Sequence, residues 1–152
     1  MFLDLRGFTK CGVCLFAALT GVVFPAQAAD PESPQQVKGA IKVSAEEVFS
    51  LFEKTPGLVI IDSRLASGPS SGRANGYIEG SVSLPDTETN CASLAKAIPR
   101  KTTPTLFYCN GPKCGRSEKA IDVALKCGYK NMYWFRGGFE EWLKKGYPFV
   151  KP

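Results

Sequence analysis

The chain alternates short apolar runs with amphipathic stretches. Leu58 to Ile61 is four consecutive apolar residues, three of them β-branched. That is the pattern of a strand buried on both faces of a parallel sheet. Thr105 to Tyr108 reads as a second buried strand. Ala40 to Val43, Val82 to Leu84 and Asn131 to Phe135 are further strand candidates, with Pro85 closing the middle one. Between them the apolar positions recur at helical spacing. Ser44 opens Ser-Ala-Glu-Glu, a capping box with Ser44 at the N-cap and Glu47 at N3. Val48, Leu51 and Phe52 give that helix its apolar face, and Thr55-Pro56-Gly57 stops it. Asp86 to Ile98 predicts a modest helix with Leu94, Ala95 and Ile98 inward. Another helix starts near Ser117, buries Ile121, Ala124 and Leu125, and runs to about Cys127, with Gly128 as its C′ residue. Gly137-Gly138 turns into a last short helix with Phe139, Trp142 and Leu143 inward, stopped by Gly146 and Pro148. Strands alternating with helices predict one α/β domain over residues 40–150, built on a mostly parallel sheet. In such sheets ligands bind outside the carboxyl ends of the strands. Asp62 and Cys109 both occupy such ends.

The amino-terminal part follows a different pattern. Arg6 and Lys10 precede an apolar run from Cys11 to Phe24, and Ala26-Gln27-Ala28 is a small-x-small cleavage site. The expectation is a secretory signal peptide over residues 1–28, its apolar run too short to remain as a spanning helix. The protein is then periplasmic or secreted, without a stable membrane anchor. Cleavage after Ala28 removes Asp4, Arg6 and Lys10, so the net charge of +5 falls to +4. Residues 29–39, with two prolines and several polar residues, read as a flexible lead-in.

Composition narrows the chemistry. Lysines and arginines are scattered without a long run, so no nucleic-acid footprint is expected, and mild basicity suits a small anionic substrate. The chain has no histidine. That removes Ser-His-Asp and Cys-His machinery and every histidine metal site. Six cysteines become four on cleavage: Cys91, Cys109, Cys114 and Cys127. They would meet an oxidising compartment, and four cysteines allow three pairings among which the sequence does not choose. A four-cysteine zinc site is disfavoured, because no two Cys-x-x-Cys clips are present. No metal and no cofactor are expected.

The candidate site is Cys109 with the loop Asn110, Gly111, Pro112, Lys113, Cys114, Gly115 and Arg116. Strand, tight loop and helix aim several backbone N–H groups at one point. Lys113 and Arg116 add two positive charges. Thiolates at helix N-termini or beside cations have pKa values lowered from about 8.5 to roughly 3.5–7.5. With no imidazole in the chain, Cys109 has to be activated by dipoles and cations. Cys114 lies five positions later in a loop able to fold back. A disulfide needs Cα atoms about 4.4–6.8 Å apart. In one reading a Cys114 thiolate attacks a persulfide or sulfenate on Cys109, giving an inactive disulfide that a reductant reopens. The bland alternative is a Cys114 that fills space on the loop rim.

Four motifs in order resemble the rhodanese-like family. They are Val59-Ile-Ile-Asp-Ser-Arg64, Gly76-Tyr-Ile-Glu-Gly-Ser-Val-Ser-Leu-Pro85, the Cys109 loop, and Trp134-Phe-Arg-Gly-Gly-Phe-Glu-Glu-Trp142. The resemblance implies a sheet of about five strands flanked by helices. It also implies sulfurtransferase activity, moving a sulfane sulfur from thiosulfate or a similar small anionic donor to a thiol or cyanide acceptor. Cys109 matches the persulfide-forming nucleophile, Asn110 to Gly115 the loop that holds the charged sulfur, and Arg116 the loop-closing arginine. Asp62 and Arg64 match an acidic and basic pair of mainly structural role, with Arg64 available as a substrate-side charge. Tyr77 stands where the family usually has histidine, a packing position. Trp134 and Trp142 read as core. The family's loop commonly runs Cys-x-x-Gly-x-Arg. Here six residues separate Cys109 from Arg116 and one of them is a cysteine, which resembles a Cys-Asn-Gly-Pro-x-Cys subgroup of exported members. Other readings remain: a thiol–disulfide or persulfide relay through Cys109 and Cys114 with a protein thiol partner, a non-catalytic sulfur carrier, and a phosphatase or arsenate-type reductase. The last resembles Cys-x5-Arg, one residue shorter than this loop.

Overall fold

The computed structural model describes residues 32–67 and 72–152; the expected signal peptide lies outside them. Five strands form one sheet: β1 (Ala40–Lys42), β2 (Val59–Asp62), β3 (Val82–Ser83), β4 (Thr105–Tyr108) and β5 (Met132–Phe135). Their spatial order is β1-β5-β4-β2-β3 and every pairing is parallel. β4 is therefore central, and all four of its residues are buried. Alternation along β4 divides the core between the two faces. Phe107 joins Ile61, Ile121, Leu94 and Trp134 on one face. Leu106 and Tyr108 join Ile60, Val48, Phe135 and Trp142 on the other. The helices α1 (Ala45–Lys54), α2 (Cys91–Ala97), α3 (Arg116–Lys126) and α4 (Gly138–Lys144) supply the covers.

The capping box of α1 is formed: Glu47 N donates to Ser44 Oγ and Ser44 N donates to Glu47 Oε2. α2 is shorter than its apolar spacing suggests. Asn90 is the N-cap, its side chain accepting from Ala92 N and Ser93 N. Asp86 to Thr89 is consequently a turn, with Thr89 Oγ1 donating to Pro85 O at 2.9 Å. A competing side-chain cap sets the start, as expected for Asn at an N-cap. The shift also rotates the inward face: Leu94 and Ile98 are buried, Ala97 packs beside them, and Ala95 is exposed. Leu143 of α4 is likewise 43 % exposed and Phe52 of α1 is 40 % exposed, against the expected inward placement of both. Phe52 still meets Trp142, with ring centroids 6.1 Å apart. Asn131, assigned to β5 from sequence, is a turn residue with φ 58°. Gly128 closes α3 at φ +83°, as its C′ position requires.

Residues 32–39 are docked on the domain, unlike the flexible lead-in their composition suggests. Val37 is part of the core and Ser33 is buried. The backbone N and the hydroxyl of Ser33 both donate to Pro112 O, each at 2.7 Å. Arg136 holds the same strap through Pro34 O, Ser33 O and Glu32. Pro34 does not loosen a segment held through Ser33 and through its own carbonyl.

A disulfide joins Cys91, the first residue of α2, to Cys127 at the C-cap of α3, with Cα atoms 5.5 Å apart. It closes a separation of 36 residues. Loops of this length give about 3–4 kcal/mol in the chain-entropy account. Replacing both cysteines by alanine is expected to lower Tm by roughly 10–20 °C, checked by calorimetry of the variant under non-reducing conditions. A shift below a few degrees would mean that the packing of α2 on α3 is sufficient alone.

Candidate active site

Cys109 directly follows β4 and is 2 % exposed. The loop behind it runs to Gly115, the N-cap of α3, whose first residue is Arg116. Four consecutive carbonyls from Cys109 to Pro112 have partners, three of them in other parts of the protein and one within the loop. Cys109 O accepts from Phe139 N and Asn110 O from Glu140 N, at 2.9 and 2.7 Å. Gly111 O accepts from Cys114 N and Pro112 O from Ser33. By contrast, the N–H groups of Asn110, Gly111, Lys113 and Gly115 donate to no protein acceptor among the described residues. Fixed carbonyls and unused N–H groups leave a loop able to donate to an anion.

The first turn of α4 is what fixes the near side of the loop. Its approach depends on Gly138, which has φ +58°; a Cβ there would strike the Cys109 and Asn110 carbonyl groups. The paired glycines look like a simple turn in the sequence, yet one of them is the contact between α4 and the loop.

Cys109 and Cys114 are joined in a disulfide, their Cα atoms 6.3 Å apart. Cys114 N donates to Gly111 O at 2.9 Å, which turns the loop back on itself. Of the two residues Cys114 is the more accessible, being half-buried. Lys113 is exposed beside it. Arg116 Nη1 pairs with Asp86 Oδ1 at 2.6 Å, tying the start of α3 to the turn after β3. Asp86 was read from the sequence only as the start of a helix; a lone aspartate in a Pro-Asp-Thr turn gives no signal of an arginine partner thirty positions on.

Asp62 and Arg64 lie under the loop and not in it. Arg64 is 1 % exposed and spans both carboxylate oxygens of Asp62, through Nε at 2.9 Å and Nη2 at 2.7 Å. Nη2 also donates to Gly76 O, and the guanidinium lies 4.3 Å from the Phe139 ring centroid. Asp62 takes further bonds from Tyr108 OH at 2.7 Å and Arg73 Nη1 at 3.1 Å. Arg73 in turn covers the Tyr77 ring at 3.6 Å and bonds Ser81. This network ties the ends of β2 and β4 to Arg73, Gly76 and Ser81. Arg64 reaches the wall of a small pocket of about 160 Å³ that Asn110, Phe139 and Glu140 also line. With its donors on Asp62 and Gly76 it acts first as a strut. Trp134 and Trp142 are core residues with their N–H groups bonded to Ser117 Oγ and Pro148 O. Ser63 was not singled out by sequence. Among the described residues its hydroxyl is buried without a partner, and its N–H donates to Tyr108 O, one residue before Cys109.

Burial, followed by the adjacent Asp62 carboxylate, pushes the Tyr108 phenol above its ordinary value. The neutral phenol is thus favoured in the fold. Its contribution to stability is complete below the unfolded value near pH 10 and is lost as pH rises beyond it. Urea unfolding between pH 8 and about 11 should show a steeper loss in the wild type than in Tyr108→Phe. Parallel curves would exclude Tyr108 as the cause.

The family model of the rhodanese-like domain matches residues 44–145. None of the curated proteins matches the chain. Among solved structures, the rhodanese-like domain of an Anabaena protein superposes with a TM-score of 0.61 at 20 % identity, covering 73 % of this chain and 79 % of its own. A polysulfide-sulfur transferase homodimer of Wolinella succinogenes gives 0.58 at 22 % identity, covering 74 % and 79 %. A thiosulfate sulfurtransferase of Pseudomonas aeruginosa gives 0.60 at 24 % identity, covering 73 % of this chain but 20 % of its own. These structures share the five-strand α/β architecture, and the match to the family model spans most of the described residues. The chain belongs to the rhodanese-like domain family.

Proposed function

We propose that the protein is a sulfurtransferase that carries a sulfane sulfur as a persulfide on Cys109. The observation that supports it is the loop at the end of β4, with Cys109 at its start, its carbonyls bonded away and four N–H groups unused. Thiosulfate or a similar anion is the donor class. The reduced Cys109 thiolate attacks the outer sulfur, the sulfur–sulfur bond breaks, and sulfite leaves with the electron pair. An acceptor thiol or cyanide then takes the sulfur, in ping-pong order. Loop N–H groups and the cations Lys113 and Arg116 offset the charge on the sulfur. No cofactor is required. Export through residues 1–28 to a periplasmic or extracellular compartment belongs to the same proposal.

The test is thiocyanate formation from thiosulfate and cyanide by the reduced protein. The oxidised protein should be inert until a reductant opens the Cys109–Cys114 bond. Absence of both thiocyanate and a Cys109 persulfide after full reduction would overturn the assignment. Within this assay, Arg116→Ala is expected to lower kcat/KM about ten- to a hundredfold, from the roughly 1.5–3 kcal/mol of a charge-assisted hydrogen bond. Lys113→Ala should lower it less, since a lysine offers a point charge and no fork. Equal effects would show that Arg116 serves only its bond to Asp86.

The Cys109–Cys114 disulfide favours a second reading, a thiol–disulfide relay with a protein thiol partner. A relay exchanges with dithiols in the absence of any sulfur donor, and insulin reduction under those conditions would support it.

A further inference from the structure

We infer that Cys114 is the built-in resolving thiol that displaces the sulfur held on Cys109, and that the protein releases that sulfur as hydrosulfide at the expense of a dithiol reductant. This rests on the persulfide chemistry proposed above. In an ordinary two-substrate transfer the acceptor thiol arrives from solution. Here a second sulfur lies in the same loop and is already bonded to the first, their Cα atoms 6.3 Å apart. The turn that brings it back, Cys114 N to Gly111 O, needs no distant element to move.

Cys109 thiolate takes the outer sulfur of thiosulfate, and sulfite departs. The outer sulfur of the persulfide gains one proton from solvent. Cys114 thiolate attacks Cys109 Sγ, the Cys109–Cys114 bond forms, and the bond from Sγ to the outer sulfur breaks. Hydrosulfide leaves with that electron pair. The sulfane sulfur has gained two electrons and the two cysteines have lost them. A dithiol then reduces the disulfide: one of its thiolates attacks, a mixed disulfide forms, and the second thiol resolves it. Net, thiosulfate and a dithiol give sulfite, hydrogen sulfide and a disulfide.

Exposure sets the direction of the last step. Cys109 is 2 % exposed, whereas Cys114 is half-buried beside the exposed Lys113. The reductant therefore meets Cys114, and Cys109 departs as the thiolate next to the unused N–H groups of Asn110 and Gly111. A thiolate stabilised in this way is the better leaving group. The disulfide is then a station of the cycle and the form that waits for reductant.

The experiment is a single turnover without external thiol. Fully reduced full-length wild type and Cys114→Ser are freed of reductant under anaerobic conditions and mixed with one equivalent of thiosulfate; Cys114→Ala provides a second variant, and circular dichroism confirms that each is folded. Wild type should yield one sulfite and one sulfide per chain, with an intact mass about 2 Da below the reduced protein. Both variants should yield sulfite without sulfide and gain about 32 Da, the mass of one retained sulfur. Sulfite with a stable persulfide on wild type would overturn the inference and leave the sulfurtransferase reading standing. Sulfide released equally by the variants would also overturn it. No sulfite from any form would defeat the sulfurtransferase reading, and the inference with it.

Discussion

Cys109→Ser should abolish sulfur transfer and leave the fold in place. A serine hydroxyl does not ionise near neutral pH and cannot carry a sulfane sulfur, and the chain has no histidine to activate it. Loss of at least about a thousandfold in thiocyanate formation is expected, together with loss of the persulfide mass after thiosulfate. Cys114 remains in that variant, half-buried on the loop, and does not inherit the role. It lies one residue before the N-cap of α3, five positions after the residue that follows β4. The fold should persist because the bond lost closes a separation of only 5 residues, while Cys91–Cys127 remains. Far-ultraviolet circular dichroism and Tm check the second half. Activity at the wild-type rate would mean that another thiol is the nucleophile.

Asp62→Ala carries the largest expected stability effect, about 3–5 kcal/mol. Asp62 is fully buried and is the acceptor for Arg64, Arg73 and Tyr108. Removing it leaves the Arg64 guanidinium, 1 % exposed, without a counter-charge. Loss on this scale is a large part of a domain's net stability, which is commonly about 5–15 kcal/mol. Asp62→Asn retains two polar atoms and should cost less than Asp62→Ala, though the charge is still lost. Urea unfolding of both variants decides the matter; a loss below about 1 kcal/mol for the alanine variant would show that the network relaxes without its acceptor. Since Tyr108 precedes Cys109, the variants should also lose activity before they lose the fold.

The parallel sheet was legible because buried parallel strands are continuous apolar runs, and Leu58 to Ile61 and Thr105 to Tyr108 are such runs. The capping box of Ser44 and the closing Gly128 were legible because each depends on its own few neighbours. Local competition misled at α2, where Asn90 outbids the apolar spacing upstream. Exposure misled at Ala95 and Leu143, because helical periodicity names a stripe and the partner surface decides how much of it is covered.

At the site the division is similar. The position of Cys109 at a strand end and the loop after it followed from the sequence, since strand, glycines and helix are contiguous there. The sequence offered a Cys109–Cys114 bond only as one reading and left the pairing of the four cysteines open, because pairing depends on Cα separations that only the packed chain sets. The packed chain likewise sets the pair of Arg116 with Asp86, the strap of Ser33 on Pro112, and the entry of α4 through Gly138. Each joins segments 28 or more positions apart, the nearest being Gly138 and Asn110. The sequence by itself determined the elements, the sheet type and the place of Cys109 at a strand end. Tertiary structure alone decided which groups hold the loop and which sulfur is bonded to Cys109, because those contacts are made between residues that local propensity cannot relate.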